Sequence, residues 1–350
     1  MNKKEYLKLY GFLGIGQAGG NLTRKFEESG YPCVVANSST EDLMTRNAKN
    51  KLHFKNGQGC HKNRKKSKQL LRDNLEQLVN EIKTKMSSIT TLFICASAAG
   101  GTGSGMLAAV SKILAQQMEV NICIVTVLPD STENYQSFAN TIELFKEIEQ
   151  LDCIGAVFIL DNSKNPDKLK INDIFFTHLN AILTNENGGN YGCLDRSEID
   201  QLLQTPGMAV IAKVGKENKE KLIPALTSSN IYANIEPNMV IRYVGYLSCG
   251  NSINLNDLFS EVGTPIDTYV GTDAPAYTCI LTGLSFPKTR LKEIMDLAQN
   301  NVAIIRNNIK ADGNSLFEDE PMDFLTAFEE IPKKENKTKM SSLDIMNQFL

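Results

Sequence analysis

The sequence feature that most constrains the fold is a glycine-rich stretch at residues 97–105, Ser-Ala-Ala-Gly-Gly-Thr-Gly-Ser-Gly. It follows the apolar run 91–96, which is typical of a buried strand, and precedes residues that are apolar at helical spacing. Glycine permits positive φ and close backbone approach. The start of a helix presents unpaired N–H groups and partial positive charge. The stretch therefore predicts a phosphate-binding turn between a strand and a helix, and we favour this over a plain surface turn.

A second glycine-rich turn, Gly-Ile-Gly-Gln-Ala-Gly at residues 14–19, follows a strand predicted over 7–15 and precedes a helix predicted from about Leu22 to Ser29. This is the G-x-G-x-x-G of dinucleotide-binding folds, which require an acidic residue at the end of the next strand. That strand, 33–36, ends instead in Asn-Ser-Ser. A simple dinucleotide fold also has no use for a further phosphate-binding turn such as the one at residues 97–105. An NAD-dependent oxidoreductase is therefore the weaker alternative.

Composition bounds the class of protein. The chain has 350 residues, 42% of them apolar and 22% charged, with a formal net charge of −3, as in soluble globular proteins. No apolar run approaches the roughly 20 residues of a membrane helix, and the charged residues 1–8 do not resemble a signal peptide. The eight cysteines contain no Cys-x-x-Cys pair. These features predict a reduced, cytoplasmic protein with no direct membrane contact, no disulfide frame and no protein-bound metal.

Residues 43–72 contain ten Lys or Arg and no Asp or Glu. A basic run can bind nucleic acid, but Phe54 is the one interleaved aromatic residue. A solvated face is the favoured interpretation, and direct DNA binding is not expected. The same positive charges could instead contact a triphosphate or an acidic neighbouring subunit.

The order Gly-Gly-Thr-Gly-Ser-Gly at residues 100–105 resembles the signature of the tubulin/FtsZ superfamily, and the chain lacks the Gly-Lys-Ser or Gly-Lys-Thr of a Walker loop. Residues 16–21 and 36–38 resemble that family's first two nucleotide loops, and 57–60 stand where its γ-phosphate loop lies. The resemblance implies GTP as ligand, with Mg²⁺ held mainly through phosphate oxygens and water. The GTP-binding residues that it implies are Gly16, Gln17, Ala18, Gly19, Asn21, Asn37, Gly100, Gly101, Thr102, Gly103, Ser104, Glu133, Asn162, Phe176 and Asn180.

Within this set the resemblance implies particular roles. Glu133 would hold the ribose, Phe176 would stack on the base, and Asn162 and Asn180 would read the guanine edge. Phe176 and Asn180 are four residues apart, so they share one face of a helix. FtsZ has an arginine where this chain has Ser137, which predicts one missing electrostatic contact to the nucleotide.

Asp195 and Glu198 resemble the acidic loop by which one subunit of this family reaches the nucleotide of the next. The resemblance implies that they orient the attacking water, and that subunits join head to tail in a contact that does not close. Without the family, Asp195 would be a helix N-cap with Glu198 completing a capping box. The two interpretations are compatible.

Alternating strands and helices predict an α/β fold with a parallel sheet. The predicted organisation is a Rossmann-like GTP-binding domain at 1–168, a long central helix at 169–187, a second α+β domain with a mixed sheet at 188–312, and a C-terminal helix and flexible tail at 313–350. Helices are predicted near 321–330 and at an amphipathic end, 341–350.

The resemblance is closest to the plasmid- and phage-borne partition filaments of the family. It implies a GTP-hydrolysing filament protein that binds itself, with a DNA-bound partition adaptor on the lysine-rich tail (Lys333, Lys334, Lys337 and Lys339). An FtsZ-type division GTPase and a non-catalytic nucleotide-bound scaffold are the remaining alternatives.

Overall fold

A computed structural model describes residues 3–184, 192–237, 240–250, 255–311 and 341–349. Within these residues the framework is one ten-stranded sheet. Its strands are β1 (Tyr10–Ile15), β2 (Cys33–Asn37), β3 (Lys51–His53), β4 (Thr91–Ser97), β5 (Asn121–Leu128), β6 (Ala156–Asp161), β7 (Gly207–Gly215), β8 (Tyr243–Leu247), β9 (Asp267–Gly271) and β10 (Ala276–Leu284). They are arranged in the order β3-β2-β1-β4-β5-β6-β7-β10-β8-β9.

Helices cover the sheet. In the described part of the chain they are α1 (Lys3–Leu7), α2 (Gly16–Glu28), α3 (Thr40–Thr45), α4 (Arg64–Lys85), α5 (Thr102–Met118), α6 (Tyr135–Glu149), α7 (Lys168–Leu183), α8 (Arg196–Gln204), α9 (Leu222–Thr227), α10 (Asn256–Val262), α11 (Lys288–Ala311) and α12 (Ser342–Asn347). None of these helices is long and apolar enough to cross a membrane.

The predicted α/β fold with a parallel sheet is confirmed. Strands β1 to β7 pair in parallel. β1 and β6 are buried along their whole length, as expected where helices cover both faces. The predicted mixed region is also present, because β10 runs antiparallel to β7 and β8. These later strands extend the first sheet rather than forming a second one.

Two boundaries at the start of the chain differ from prediction. Residues 3–7 are helical, and β1 begins only at Tyr10. Helix α2 begins at Gly16, six residues earlier than predicted, so the glycine turn is itself the first helical turn. Close packing explains the glycines there, since a Cβ on Gly19 would lie 2.2 Å from the Cys95 carbonyl oxygen of β4.

Helix α7 packs on the first half of the sheet through aromatic contacts. The ring centroids of Phe175 and Phe158 are 5.5 Å apart, and those of Phe176 and Phe26 are 5.0 Å apart. Near the end of the chain, α12 forms the predicted amphipathic helix. The helix predicted near 321–330 lies outside the described residues.

Candidate functional site

A cavity of about 520 Å³ opens at the carboxyl ends of β1, β2 and β4, where ligands bind in open α/β sheets. We call it the pocket. It is lined by Ile15, Gly16, Gln17, Ala18, Asn37, Ser38, Ser39, Glu41, Asp42, Gln58, Gly59, Cys60, His61, Lys62, Ser97, Ala99, Gly100, Gly101, Thr102, Gly103 and Glu133. The two glycine turns, the end of β2 and the loop after β3 therefore meet in one place.

Two helices begin at the pocket. Gly16, the first residue of α2, has φ +74°, and a Cβ there would lie 3.4 Å from the backbone nitrogen of Gly103 in the first turn of α5. Neither helix has a side chain capping its first turn. Their leading N–H groups and the positive ends of both helix dipoles therefore converge, which is the arrangement that binds phosphate.

Ser38 is a pocket residue that the sequence analysis did not single out. Its hydroxyl lies 2.7 Å from the Thr102 hydroxyl and accepts a contact from the Cys60 thiol at 3.4 Å. It ties the end of β2 to the start of α5. The sequence signal for it was its place within residues 36–38, which resemble the second nucleotide loop of the tubulin/FtsZ superfamily.

Lys62 supplies positive charge beside the pocket. Its ammonium group bonds the Ser137 hydroxyl, donates to Asn134 Oδ1 at 3.1 Å and lies 3.7 Å from a Glu133 oxygen. Ser137 is the position at which the sequence predicted a missing cation, so a lysine from another loop stands there instead. In the sequence Lys62 was one of ten basic residues with nothing to set it apart.

A buried asparagine joins these loops. Asn140 on α6 is 2% exposed, and its amide donates to the carbonyl of Lys62 at 2.9 Å and to that of Gly100 at 2.8 Å. Gln136 in turn donates to Asn140 Oδ1 at 2.9 Å. A polar residue among the apolar positions of α6 is the signal that could have found it.

Charged side chains at the rim are paired with one another. Lys168 lies 2.9 Å from Asp130 and 3.6 Å from Glu133. Hydrogen bonds from Thr132 and then from Lys168 lower the pKa of Asp130 to about 2, and the bond to Asp130 raises the pKa of Lys168. Because Lys168 is the first residue of α7, the start of that helix lies beside the pocket.

Phe176 and Asn180 are not brought to the pocket. Asn180 is twelve residues beyond Lys168, which places it about 18 Å along the helix axis. Its Oδ1 accepts a bond from Tyr31 at 2.9 Å, beyond the far end of α2, and Phe176 packs edge-on against Phe26. The spacing of four residues puts both side chains on one face of α7, as predicted, but spacing alone does not indicate which turns of α7 meet the pocket.

Four other predicted residues are near the pocket without lining it. Ser104 is fully buried, and its hydroxyl accepts from Arg64 Nη1 at 2.5 Å. Gly19 packs on β4, and Asn21 lines a small side cavity that also contains Gly16 and Gln17. Asn162 begins a short 3-10 turn at the end of β6, on the same sheet edge.

Asp195 and Glu198 form the predicted capping box at the start of α8. Asp195 accepts from the Glu198 N–H at 3.0 Å, and Glu198 accepts from the Asp195 N–H at 2.8 Å. That first bond lowers the pKa of Asp195, whereas burial raises the pKa of Glu198.

This capping box lies at the opposite edge of the sheet from the pocket. The neighbouring Arg196 donates to the Thr90 hydroxyl at 3.4 Å, and Thr90 directly precedes β4. The pocket is at the other end of that seven-residue strand, about 20 Å away. The two carboxylates therefore cannot reach the pocket of their own chain.

No group of three or more His, Cys, Asp or Glu side chains among the described residues could hold a metal ion. The oxygen ligands available at the pocket are hydroxyls and single carboxylates. Mg²⁺ keeps several waters and binds readily through phosphate oxygens, so this set of ligands fits an ion that arrives with a nucleotide.

Comparison with known proteins gives a consistent result. Residues 11–170 match the tubulin/FtsZ family, GTPase domain. The chain is 28% identical to the tubulin-like protein TubZ of Clostridium botulinum C phage, over 88% of this chain and 87% of that protein.

Solved structures agree with the family match. The tail-truncated TubZ of C. botulinum phage c-st has a TM-score of 0.77 at 26% identity, covering 85% of this chain and 99% of that one. A GTPγS-form protofilament of TubZ from Bacillus thuringiensis serovar israelensis has a TM-score of 0.70 at 18% identity, covering 87% and 93%.

Proposed function

We propose that the chain is a GTPase of the tubulin/FtsZ family and that it assembles head to tail into a filament that partitions plasmid or phage DNA. The observation that supports a filament most directly is the separation of Asp195 from the pocket of its own chain. A carboxylate about 20 Å from the phosphates acts only on the nucleotide of another subunit. Repeating that contact generates an open polymer.

The phosphates of GTP would lie on the converging starts of α2 and α5. The backbone N–H groups of residues 16–18 and 101–103 are the donors, with the Thr102 hydroxyl beside them. Lys62 adds a cation that is already at the pocket. Mg²⁺ would be held by phosphate oxygens and water, and it would neutralise charge that develops on the phosphates.

The guanine base would lie between the first half of α2 and the first two turns of α7. Asp173 of α7 lies 3.6 Å from Arg24 of α2, and nothing among the described residues hydrogen-bonds to its buried Oδ1. One turn nearer the pocket stand Asn21 on α2 and Leu169 on α7. Leu169 is 46% exposed, so an apolar side chain is available to cover a base.

We expect Asp173→Ala to weaken GTP binding by about 1–3 kcal/mol, the range for a bidentate contact to a base, and to reduce the preference for GTP over ATP. A carboxylate accepts from two adjacent N–H groups of guanine, and adenine lacks that pair. Titration with fluorescent GTP and ATP analogues measures both effects. Asn180→Ala is the matched control on the same helix and should leave affinity and selectivity unchanged. The opposite pattern would place the base at Phe176 and Asn180.

Hydrolysis would take place where two subunits meet. Asp195, exposed at the start of α8, would contact the water that attacks the terminal phosphate of the neighbouring subunit. Glu198 holds the Asp195 backbone through the capping box, so the carboxylate is oriented before the subunits join. The carboxylates that line the pocket have partners of their own, since Glu41 accepts from Ser39, Asp42 accepts from Asn37, and Glu133 is paired with Lys62.

Assembly that depends on nucleotide tests the filament. We expect light scattering and electron microscopy to show filaments with GTP, and none with ATP or without nucleotide. Phosphate release should rise steeply with protein concentration, because each active site requires two subunits. Constant release per subunit across dilution would contradict the shared site. GTP binding with neither assembly nor phosphate release would favour the scaffold alternative.

The partition role is favoured over cell division because the similarity to a phage TubZ extends over 88% of the chain. The tail lysines Lys333, Lys334, Lys337 and Lys339 lie outside the described residues, and their contact with a DNA-bound adaptor is a proposal from sequence. Changing all four to Gln should abolish co-sedimentation of the adaptor–DNA complex with filaments while assembly persists. Retained co-sedimentation would remove the lysines from the adaptor contact.

A further inference from the structure

Residues 341–349, which we call the docking segment, lie in a groove between α4 and α5. Ile345 is 1% exposed, Met346 is fully buried and Phe349 is 8% exposed, whereas Leu343 is 59% exposed. The segment contains the six-residue helix α12, closed by a capping box between Ser341 and Asp344. A helix this short is unstable alone, so it depends on the apolar face that it buries in the groove.

Polar contacts fix the docking segment along its length. Gln117 of α5 donates to the Ser342 hydroxyl at 3.0 Å, and Lys112 of α5 donates to Gln348 Oε1 at 2.7 Å. Lys68 of α4 donates to the carbonyl of Phe349. The segment therefore contacts the groove at its start, along its helix and at its end.

The Lys68 contact begins a continuous series of charged side chains that ends in the glycine-rich turn. Lys68 lies 2.9 Å from Glu147 on α6, and Glu147 lies 2.5 Å from Arg64 Nη2. Arg64 Nη1 donates to the carbonyl of Ser104 at 2.7 Å and to its hydroxyl at 2.5 Å. The three charged side chains are 9–16% exposed, so solvent screens them little.

We propose that the docking segment is a regulatory latch: by holding Lys68 on Glu147, it fixes Arg64 against the phosphate turn, so that occupancy of the α4/α5 groove and GTP binding reinforce each other. This inference rests on the proposed nucleotide site. Twenty-nine residues separate the end of α11 at Ala311 from the docking segment, so the groove is filled by a segment remote in sequence. Coupling of this kind is reciprocal and amounts typically to about 5–150-fold in affinity.

The test compares two aspartate substitutions in the full chain, one on each face of α12. Ile345→Asp places a charge in the groove and should release the segment, whereas Leu343→Asp changes an exposed position. We expect Ile345→Asp to weaken binding of a fluorescent GTP analogue by about fivefold or more, and Leu343→Asp to bind it like the unsubstituted chain. Measurements are made below the protein concentration at which light scattering rises.

A synthetic peptide of residues 341–350 then supplies the segment in trans. It should bind the Ile345→Asp chain, restore its GTP affinity, and bind more tightly when the analogue is present. It should not bind the unsubstituted chain, whose groove is filled. With Lys68→Met added, the peptide should still bind through its apolar face but no longer restore GTP affinity.

Two results would overturn the latch. One is an Ile345→Asp chain that binds the analogue as tightly as the unsubstituted chain while it also binds the peptide. The other is a peptide that binds neither chain. If the unsubstituted chain itself fails to bind the analogue, the nucleotide site fails first, and the latch fails with it.

Discussion

Replacing Asp195 by asparagine is expected to slow GTP turnover by about 10²–10⁴-fold, the contribution of a positioned acid–base group, while filaments still assemble. Asparagine caps a helix as well as aspartate does, so its side-chain oxygen still accepts from the Glu198 N–H and the Ser197 hydroxyl. The charge that would orient water is lost. Steady-state phosphate release and filament lifetime measure the effect, and the filaments should be long-lived.

A matched control is Asp167→Asn at the N-cap of α7. Asp167 accepts from the Leu169 N–H at 3.0 Å, so the same change alters a second helix cap without touching the proposed water site. Because α7 begins beside the pocket, the comparison is made at saturating GTP, where Asp167→Asn should turn over GTP at the unsubstituted rate. Mixing Asp195→Asn with the pocket variant Thr102→Ala tests the shared geometry, because one type of contact then pairs an intact acidic loop with an intact pocket. Mixtures that hydrolyse no faster than the sum of the two separate variants would contradict a site shared between subunits.

Gly101→Ala is expected to weaken GTP binding at least about tenfold, equivalent to 1.4 kcal/mol, and to lower the melting temperature of the nucleotide-free protein. A Cβ at Gly101 would lie 2.8 Å from both the backbone nitrogen and the Cα of Lys62. Backbone atoms cannot relieve such a clash by rotating away, as the end of a side chain can. Lys62 already has φ +60°, and its carbonyl accepts a bond from Asn140. The loop therefore has to move as a unit, which takes the Lys62 ammonium group away from the pocket.

The neighbouring glycine provides the comparison. A Cβ on Gly100 meets nothing within 4 Å, so Gly100→Ala should leave the melting temperature of the nucleotide-free protein unchanged. Calorimetry or dye-based melting of the two variants side by side separates the steric effect from the general cost of replacing glycine. Equal melting temperatures for Gly101→Ala and the unsubstituted chain would show that the Lys62 loop is not packed on the phosphate turn as described.

Much of the fold followed from the sequence because its signals are local. The strand–turn–helix unit at 91–118 shows itself through an apolar run, a cluster of glycines and a helical repeat, all within 30 residues. The Asp195–Glu198 capping box spans only four residues. Boundaries were less certain where a turn and a helix share residues, as at Gly16.

The site was predictable to the extent that its residues lie in those local turns. Gly16, Gln17, Ala18, Asn37, Gly100, Gly101, Thr102, Gly103 and Glu133 all line the pocket. Ser38, Lys62 and Asn140 each have a partner 40 or more residues away, respectively Thr102, Asn134 and Gly100, and no spacing in the sequence marks such pairs. Ser104 was grouped with the pocket by its motif, although its hydroxyl is turned toward Arg64.

Local sequence is enough to predict the phosphate-binding turns, because backbone conformation and helix starts depend on neighbouring residues. The packing of the folded chain alone establishes which turn of α7 stands beside α2, that Lys62 lies next to Ser137, and that Asp195 lies at the far edge of the sheet. The same packing puts Ile345 and Phe349 in the α4/α5 groove. Each of these depends on how helices pack on the sheet, and packing joins side chains that the chain order leaves far apart.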